Sequence, residues 1–213
     1  MSSGLASALW SANADLAEAC WANAFVRGLA DGSLPIEGFR AYVAQDAFFL
    51  EAFARAYALA LARSPDRHGL EVFHALIGGV LEELRLHAAY AARWQVDLTR
   101  SQPSEATLAY TNFLLTTASL HGVGDTCAAM TPCMRLYAYL GQRLARHRTP
   151  DHPYQEWIDT YAAPEFESLV ATLESLLDRY ASDSESVHGA YRRAMQLELA
   201  FFEAHAPPLR PLA

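Results

Sequence analysis

Cysteine is scarce in this 213-residue chain: Cys20, Cys127 and Cys133 are its three thiols, and no two form a CxxC pair. An odd count without that spacing argues against a disulfide framework or a zinc site and fits free thiols in a reducing cytoplasm. Long apolar runs are missing too, none approaching the roughly 18–20 residues that a membrane-spanning helix needs. The N-terminal stretch has neither an early cation nor a compact apolar core, so it does not read as a secretory signal. Basic clusters are thin. The densest runs from Arg143 to Arg148, in a chain of formal net charge −8. That is too weak an electrostatic footprint for a nucleic-acid surface. No GxSxG elbow, P-loop or GxGxxG occurs, which removes the common hydrolase and nucleotide signatures. Alternating apolar and polar residues are nearly absent, as are Asn-Gly or Asp-Gly hairpins, so strands are not expected.

What the chain does have is apolar residues, 52% of it, at helical spacing from end to end. The expected elements are helices near 5–24, 36–62, 67–95, 104–119, 123–147, 153–160, 165–181 and 185–205. Pro35 and Pro103 fall where a first turn tolerates a missing N–H. Asp31-Gly32, Ser64-Pro65-Asp66, Arg100 to Pro103 and Thr149-Pro150 supply the breaks. With no repeat, low-complexity tract or linker, the expectation is one all-α domain over 1–213. Its core would cover about 5–205, with a short tail at 206–213.

Three helices carry polar groups on apolar stripes. Asp46 interrupts Phe39, Tyr42/Val43, Phe49/Leu50, Phe53 and Tyr57, and Glu198 interrupts Tyr191, Ala194/Met195, Phe201/Phe202 and His205. An ionised carboxylate buried without partners costs several kcal/mol, so each must meet a donor, a cavity or a ligand. Each could cap a neighbouring helix or pair with an arginine; alternatively, the two helices face one another across a polar pocket. On the stripe of 123–147, Cys133 and Tyr137 are one turn apart. Pro132 just before them should break or kink that helix. Cys133 alone reads as inert packing, as do Cys127 and Cys20. Phe48, Phe49, Tyr110, Tyr137, Tyr139 and Tyr161 could line a slot for a flat ring or simply fill the core. Glu82, Glu83 and His87 lack the paired Glu-x-x-His steps of a di-iron bundle. Glu83 and His87 read instead as a surface pair or as support for a neighbouring side chain. No metal site is expected.

The segments FRAYVAQDAFFLEAFARAYALALA (39–62), LEELRLH (81–87), PSEATLAYTNFLLTTAS (103–119), PCMRLYAYLGQRL (132–144), HPYQEWIDTYAAPEFESLV (152–170) and LELAFFEA (197–204) resemble, in order, the thiaminase II (TenA) family. Cys133 places the chain in that family's cysteine-bearing branch. The resemblance implies a single-domain haem-oxygenase-like helical bundle, a homotetramer, and salvage of the pyrimidine half of thiamin. The implied reaction hydrolyses 4-amino-5-aminomethyl-2-methylpyrimidine to its hydroxymethyl counterpart, with no metal or organic cofactor. Carried over by motif, Cys133 is the nucleophile, Glu198 the acid–base group and Asp46 the substrate-binding carboxylate. Phe49, Tyr110, Tyr137 and Tyr161 belong to the pocket. Met134 and Arg135 stand where many relatives have two aromatics, and Phe49 lacks a hydroxyl that some members carry. Rival readings are a flat-ligand-binding protein and a cofactor-free oxidase on the same scaffold. Nothing in the chain looks like a DNA-binding module, although some family members are labelled transcriptional activators.

Overall fold

The computed structural model describes residues 4–149 and 152–206. Among them are ten helices and no strand: α1 (Leu5–Ala12), α2 (Ala14–Ala22), α3 (Ala24–Asp31), α4 (Ile36–Ala62), α5 (Arg67–Arg93), α6 (Glu105–Leu120), α7 (Val123–His147), α8 (Gln155–Ala162), α9 (Pro164–Tyr180) and α10 (Glu185–His205). None is long and apolar enough to cross a membrane. The end of the expected tail, from residue 207, lies outside the described residues.

Local chemistry sets the boundaries. Asp66, Ser104 and Ser184 cap α5, α6 and α10 by accepting the backbone N–H groups of Gly69, Thr107 and Val187, which satisfies donors that a helix start leaves unpaired. Pro35 precedes α4 as its N-cap. The stretch expected as one helix over 5–24 is instead cut twice, at Asn13 and Asn23, and a third helix follows. The Asn13 amide donates to the Leu9 carbonyl at 2.8 Å. Asn23 accepts from the Phe25 N–H at 2.9 Å. Each amide thus serves a helix end, the use for which asparagine competes with helix continuation. Gly32 closes α3 in the left-handed conformation, with φ 74°, where a side chain would be strained.

Helix α7 lies at the centre, packed against α3, α4, α6, α8, α9 and α10. One hydrophobic cluster draws side chains from all ten helices. Of the break or kink expected at Pro132, the break does not occur: α7 runs through it. Pro132 and its neighbours Met130 and Thr131 are buried, so tertiary packing outweighs the loss of one backbone hydrogen bond. The Thr131 hydroxyl donates to the Cys127 carbonyl at 2.7 Å in the same turn. Arg135 points away from the α7 face that carries Cys133. It bonds Glu174 through Nε and Nη2, both at 2.7 Å, and Glu167 through Nη1 at 2.8 Å, tying α7 to α9.

Gly141 lets α7 approach α8 closely. A Cβ there would come within 2.5 Å of the Tyr161 carbonyl carbon and 2.7 Å of the Tyr161 Cβ. Gly141→Ala must therefore push α8 outward, since backbone cannot step aside as a flexible side chain can. The expected cost is about 1–3 kcal/mol, the range for overpacking a filled interior, measured by denaturant unfolding. Because Tyr161 rides on α8, the same change should also weaken ligand binding.

Candidate active site

The stripes of α4, α7 and α8 meet at a cavity of about 480 Å³, within the usual size range for small-molecule sites. Asp46 and Phe49 reach it from α4, Cys133, Met134 and Tyr137 from α7, and Tyr161 from α8. A second chamber of about 400 Å³ adjoins it, and Asp46, Glu83, Thr160 and Tyr161 belong to the walls of both. On the α7 stripe, Cys133 and Met134 are only half-buried while the positions around them are buried, because here the stripe borders space instead of protein. The face is largely aromatic. Tyr161 meets Tyr137 and Trp157 edge-on, with ring centroids 4.8 and 4.7 Å apart, and Phe49 packs on Phe53 and Tyr110.

Two expected site residues stand one layer back. Glu198 is 1% exposed and is not among the side chains lining either chamber. It sits behind Cys133, close enough for its charge to raise that thiol. Tyr110, also buried, donates its hydroxyl to Glu198 Oε1 at 2.7 Å and likewise lies off both walls. Phe48 and Tyr139 do not join the site. The Tyr139 hydroxyl bonds Glu18 near the N-terminal helices.

Burial governs the electrostatics. Desolvation raises the Glu198 carboxyl to about 7, against the Tyr110 hydrogen bond and the neighbouring Cys133 thiol, which lower it. Such a group changes protonation near neutrality, as a general acid–base requires. The Cys133 thiol is pushed well above its ordinary value by desolvation, then by the Glu198 and Asp46 carboxylates. Resting Cys133 is therefore a thiol. Desolvation also raises Asp46, with His87 pulling it back down, and it raises Glu83 to about 7. Cys127, buried and remote, is pushed up to about 12 by desolvation.

Trp157 escaped the sequence patterns and Tyr42 was expected only as a stripe aromatic, while Glu83 and His87, expected as a surface pair or as support for a neighbouring side chain, both line the second chamber. Tyr42 and Trp157 form a relay. Trp157 Nε1–H donates to the Tyr42 hydroxyl at 3.3 Å, and that hydroxyl donates to Tyr137 at 3.1 Å. The relay leaves the Tyr137 O–H free to donate into the cavity it lines.

The site thus places a thiol and a carboxyl on one aromatic wall, with a near-neutral acid behind the thiol. The chain belongs to the TENA/THI-4/PQQC family, whose model matches residues 14–206. It is 35% identical to the aminopyrimidine aminohydrolase of Halalkalibacterium halodurans over 175 residues, covering 79% of this chain and 78% of that one. It is 37% identical to the mitochondrial bifunctional TH2 protein of Arabidopsis thaliana over 85% of its own length. It spans only 33% of that plant protein. The fold superposes with a TM-score of 0.89 on a crystal structure described as a TenA family transcription regulator from Silicibacter sp. TM1040. That structure is 27% identical, with 96% of this chain and 98% of that one covered.

Proposed function

We propose that the chain is an aminopyrimidine aminohydrolase of the thiaminase II type, acting in thiamin salvage. The carrying observation is Cys133 and Asp46 on one cavity wall with Glu198 directly behind the thiol. The names of its relatives point the same way. Asp46 holds the amino-bearing edge of the ring, the Tyr137 O–H meets a ring nitrogen, and Phe49 and Tyr161 hold the faces. Cys133 adds through sulfur to the ring carbon beside the one bearing the aminomethyl group, while Glu198 takes the thiol proton. The electron pair gained by the ring expels the amine from the exocyclic methylene, and Glu198 returns the proton to it. Water then adds to the methylene, giving up a proton to Glu198. The C–S bond breaks and restores the aromatic ring and the thiol.

Incubation with 4-amino-5-aminomethyl-2-methylpyrimidine should release one ammonia per hydroxymethyl pyrimidine formed, with no oxygen consumed. Binding without ammonia would make the protein a carrier, and oxygen uptake would make it an oxidase. Either result overturns the hydrolase reading.

A further inference from the structure

Tyr57 stands on α4 three turns beyond Asp46, about 16 Å along the helix axis. It belongs to the same cavity wall as Asp46, Phe49 and Cys133. The residue is 1% exposed, yet its hydroxyl has no hydrogen-bond partner among the described residues. A buried hydroxyl is nearly always paired, because leaving it unmet costs more than a typical hydrogen bond returns. Two rings hold the phenol in place. Phe53 meets it edge-on with centroids 4.9 Å apart, and Phe73 packs on it at 6.0 Å. Helical side chains lean toward the N-terminal end of their helix, so Tyr57 leans back along the cavity toward Phe53 and Asp46.

Two other phenols have buried hydroxyls without a partner, and neither faces the thiol. Tyr191 lines neither chamber, and Tyr90 lines only the second, to which Cys133 does not belong. Burial holds the Tyr57 phenol well above its ordinary range, and Cys133 is the foremost neighbouring group that adds to the rise. Tyr57 therefore keeps its proton near neutrality and can donate as well as accept.

We infer that the Tyr57 hydroxyl is the hydrogen-bond partner of the exocyclic heteroatom at the reacting methylene: the amine of the substrate, the water that replaces it and the hydroxyl of the product. The inference rests on the aminopyrimidine reading above and adds a residue to it. In that reading Asp46 and Tyr137 take the polar edge of the ring. The methylene, beside the carbon that Cys133 attacks, is left to the part of the wall that those two do not occupy. Amine, water and hydroxyl each donate and accept hydrogen bonds, and a neutral phenol meets all three without changing its own protonation. Holding nitrogen and then oxygen at one point aligns the water with the carbon that the amine has just left. No covalent bond to Tyr57 forms, and the protons follow the route through Glu198 given above.

The test compares two ligands on one variant. Tyr57→Phe removes a single oxygen that no protein group uses, so its melting temperature should equal or exceed that of the wild type. Affinity for the hydroxymethyl pyrimidine, measured by calorimetry, should fall about tenfold, the loss expected when a buried hydroxyl is left without its partner. Affinity for 4-amino-2,5-dimethylpyrimidine, which has a methyl group in place of the hydroxymethyl, should not change. Turnover of the aminomethyl substrate should fall by about tenfold or more. Tyr191→Phe removes an equally unpaired hydroxyl away from both chambers and should leave the ratio of the two affinities as it is. A wild-type ratio in Tyr57→Phe, unchanged turnover, or a marked loss of its stability overturns the inference while pyrimidine binding stands. Absence of any pyrimidine binding by wild type overturns the aminopyrimidine reading and this inference with it.

Discussion

Cys133→Ser should lower turnover of the aminomethyl pyrimidine by a factor on the order of 10³ or more while leaving affinity for the hydroxymethyl product nearly unchanged. The site gives the reason. Resting Cys133 is protonated, so its attack needs proton transfer to Glu198 as the C–S bond forms. A hydroxyl in the same place gives up its proton far less readily and is the weaker nucleophile. Binding should survive because, on the proposed reading, the ring is held by Asp46, Tyr137 and the aromatic faces, none of which the change removes. Cys20 and Cys127 are buried free thiols, and neither belongs to the walls of the two chambers. Serine at either position should keep activity and lose stability by about 1–3 kcal/mol for a hydroxyl placed in an apolar interior. Steady-state kinetics, product titration and thermal melts on the three variants separate chemistry from folding. Wild-type turnover by folded Cys133→Ser would eliminate the covalent route.

Glu198→Gln should cost about 10²–10⁴ in kcat, the usual contribution of a positioned acid–base group. An amide can neither take the thiol proton nor hand one to the departing amine. The pH dependence follows from the same carboxyl. With its pKa raised to about 7, Glu198 is ionised above that value and takes on a proton below it, so kcat/KM should fall as the pH drops through about 7. Tyr110→Phe sharpens the test. The Tyr110 hydroxyl donates to the carboxylate and lowers its pKa; removing it disfavours the charged form, so the acid limb should move to higher pH. A limb that stays in place in folded Tyr110→Phe would detach Glu198 from the rate.

Helices α4, α7 and α10 have the bounds that their apolar stripes and breaks imply, because stripe and break are both local properties of sequence. Asp46 and Glu198 were legible for the same reason: a carboxyl inside an apolar stripe must be met by something. The N-terminal helices were less legible, since Asn13 and Asn23 cut a continuous helical pattern through side-chain bonds to the backbone. Pro132 does not end α7, because packing around it holds the chain helical where propensity alone would interrupt it. His87 and Glu83 share α5 with exposed Glu82, Arg85 and Ala88, so the pattern leaves the pair between a surface reading and a supporting one. Only the packing of α5 on α4 turns His87 toward Asp46. Tyr42 was read as one more stripe aromatic, and its place between Trp157 and Tyr137 depends on α8, which lies more than a hundred residues along the chain.

The protonated state of Cys133 also bears on survival under oxidative stress. Peroxides and alkylating agents attack thiolates, and a thiol kept neutral is a poor target. Cys133 is kept neutral by burial and by the Glu198, Asp46 and Glu83 carboxylates, yet it borders a cavity. In the proposed mechanism the electrostatics that delay attack until a ring is bound would also shield the thiol from small electrophiles. Iodoacetamide should modify Cys133 more slowly than it modifies free cysteine, although the cavity admits the reagent. A flat electrophile that fills the aromatic slot and engages Asp46 would escape this protection, since it brings its reactive carbon to the sulfur as a substrate does.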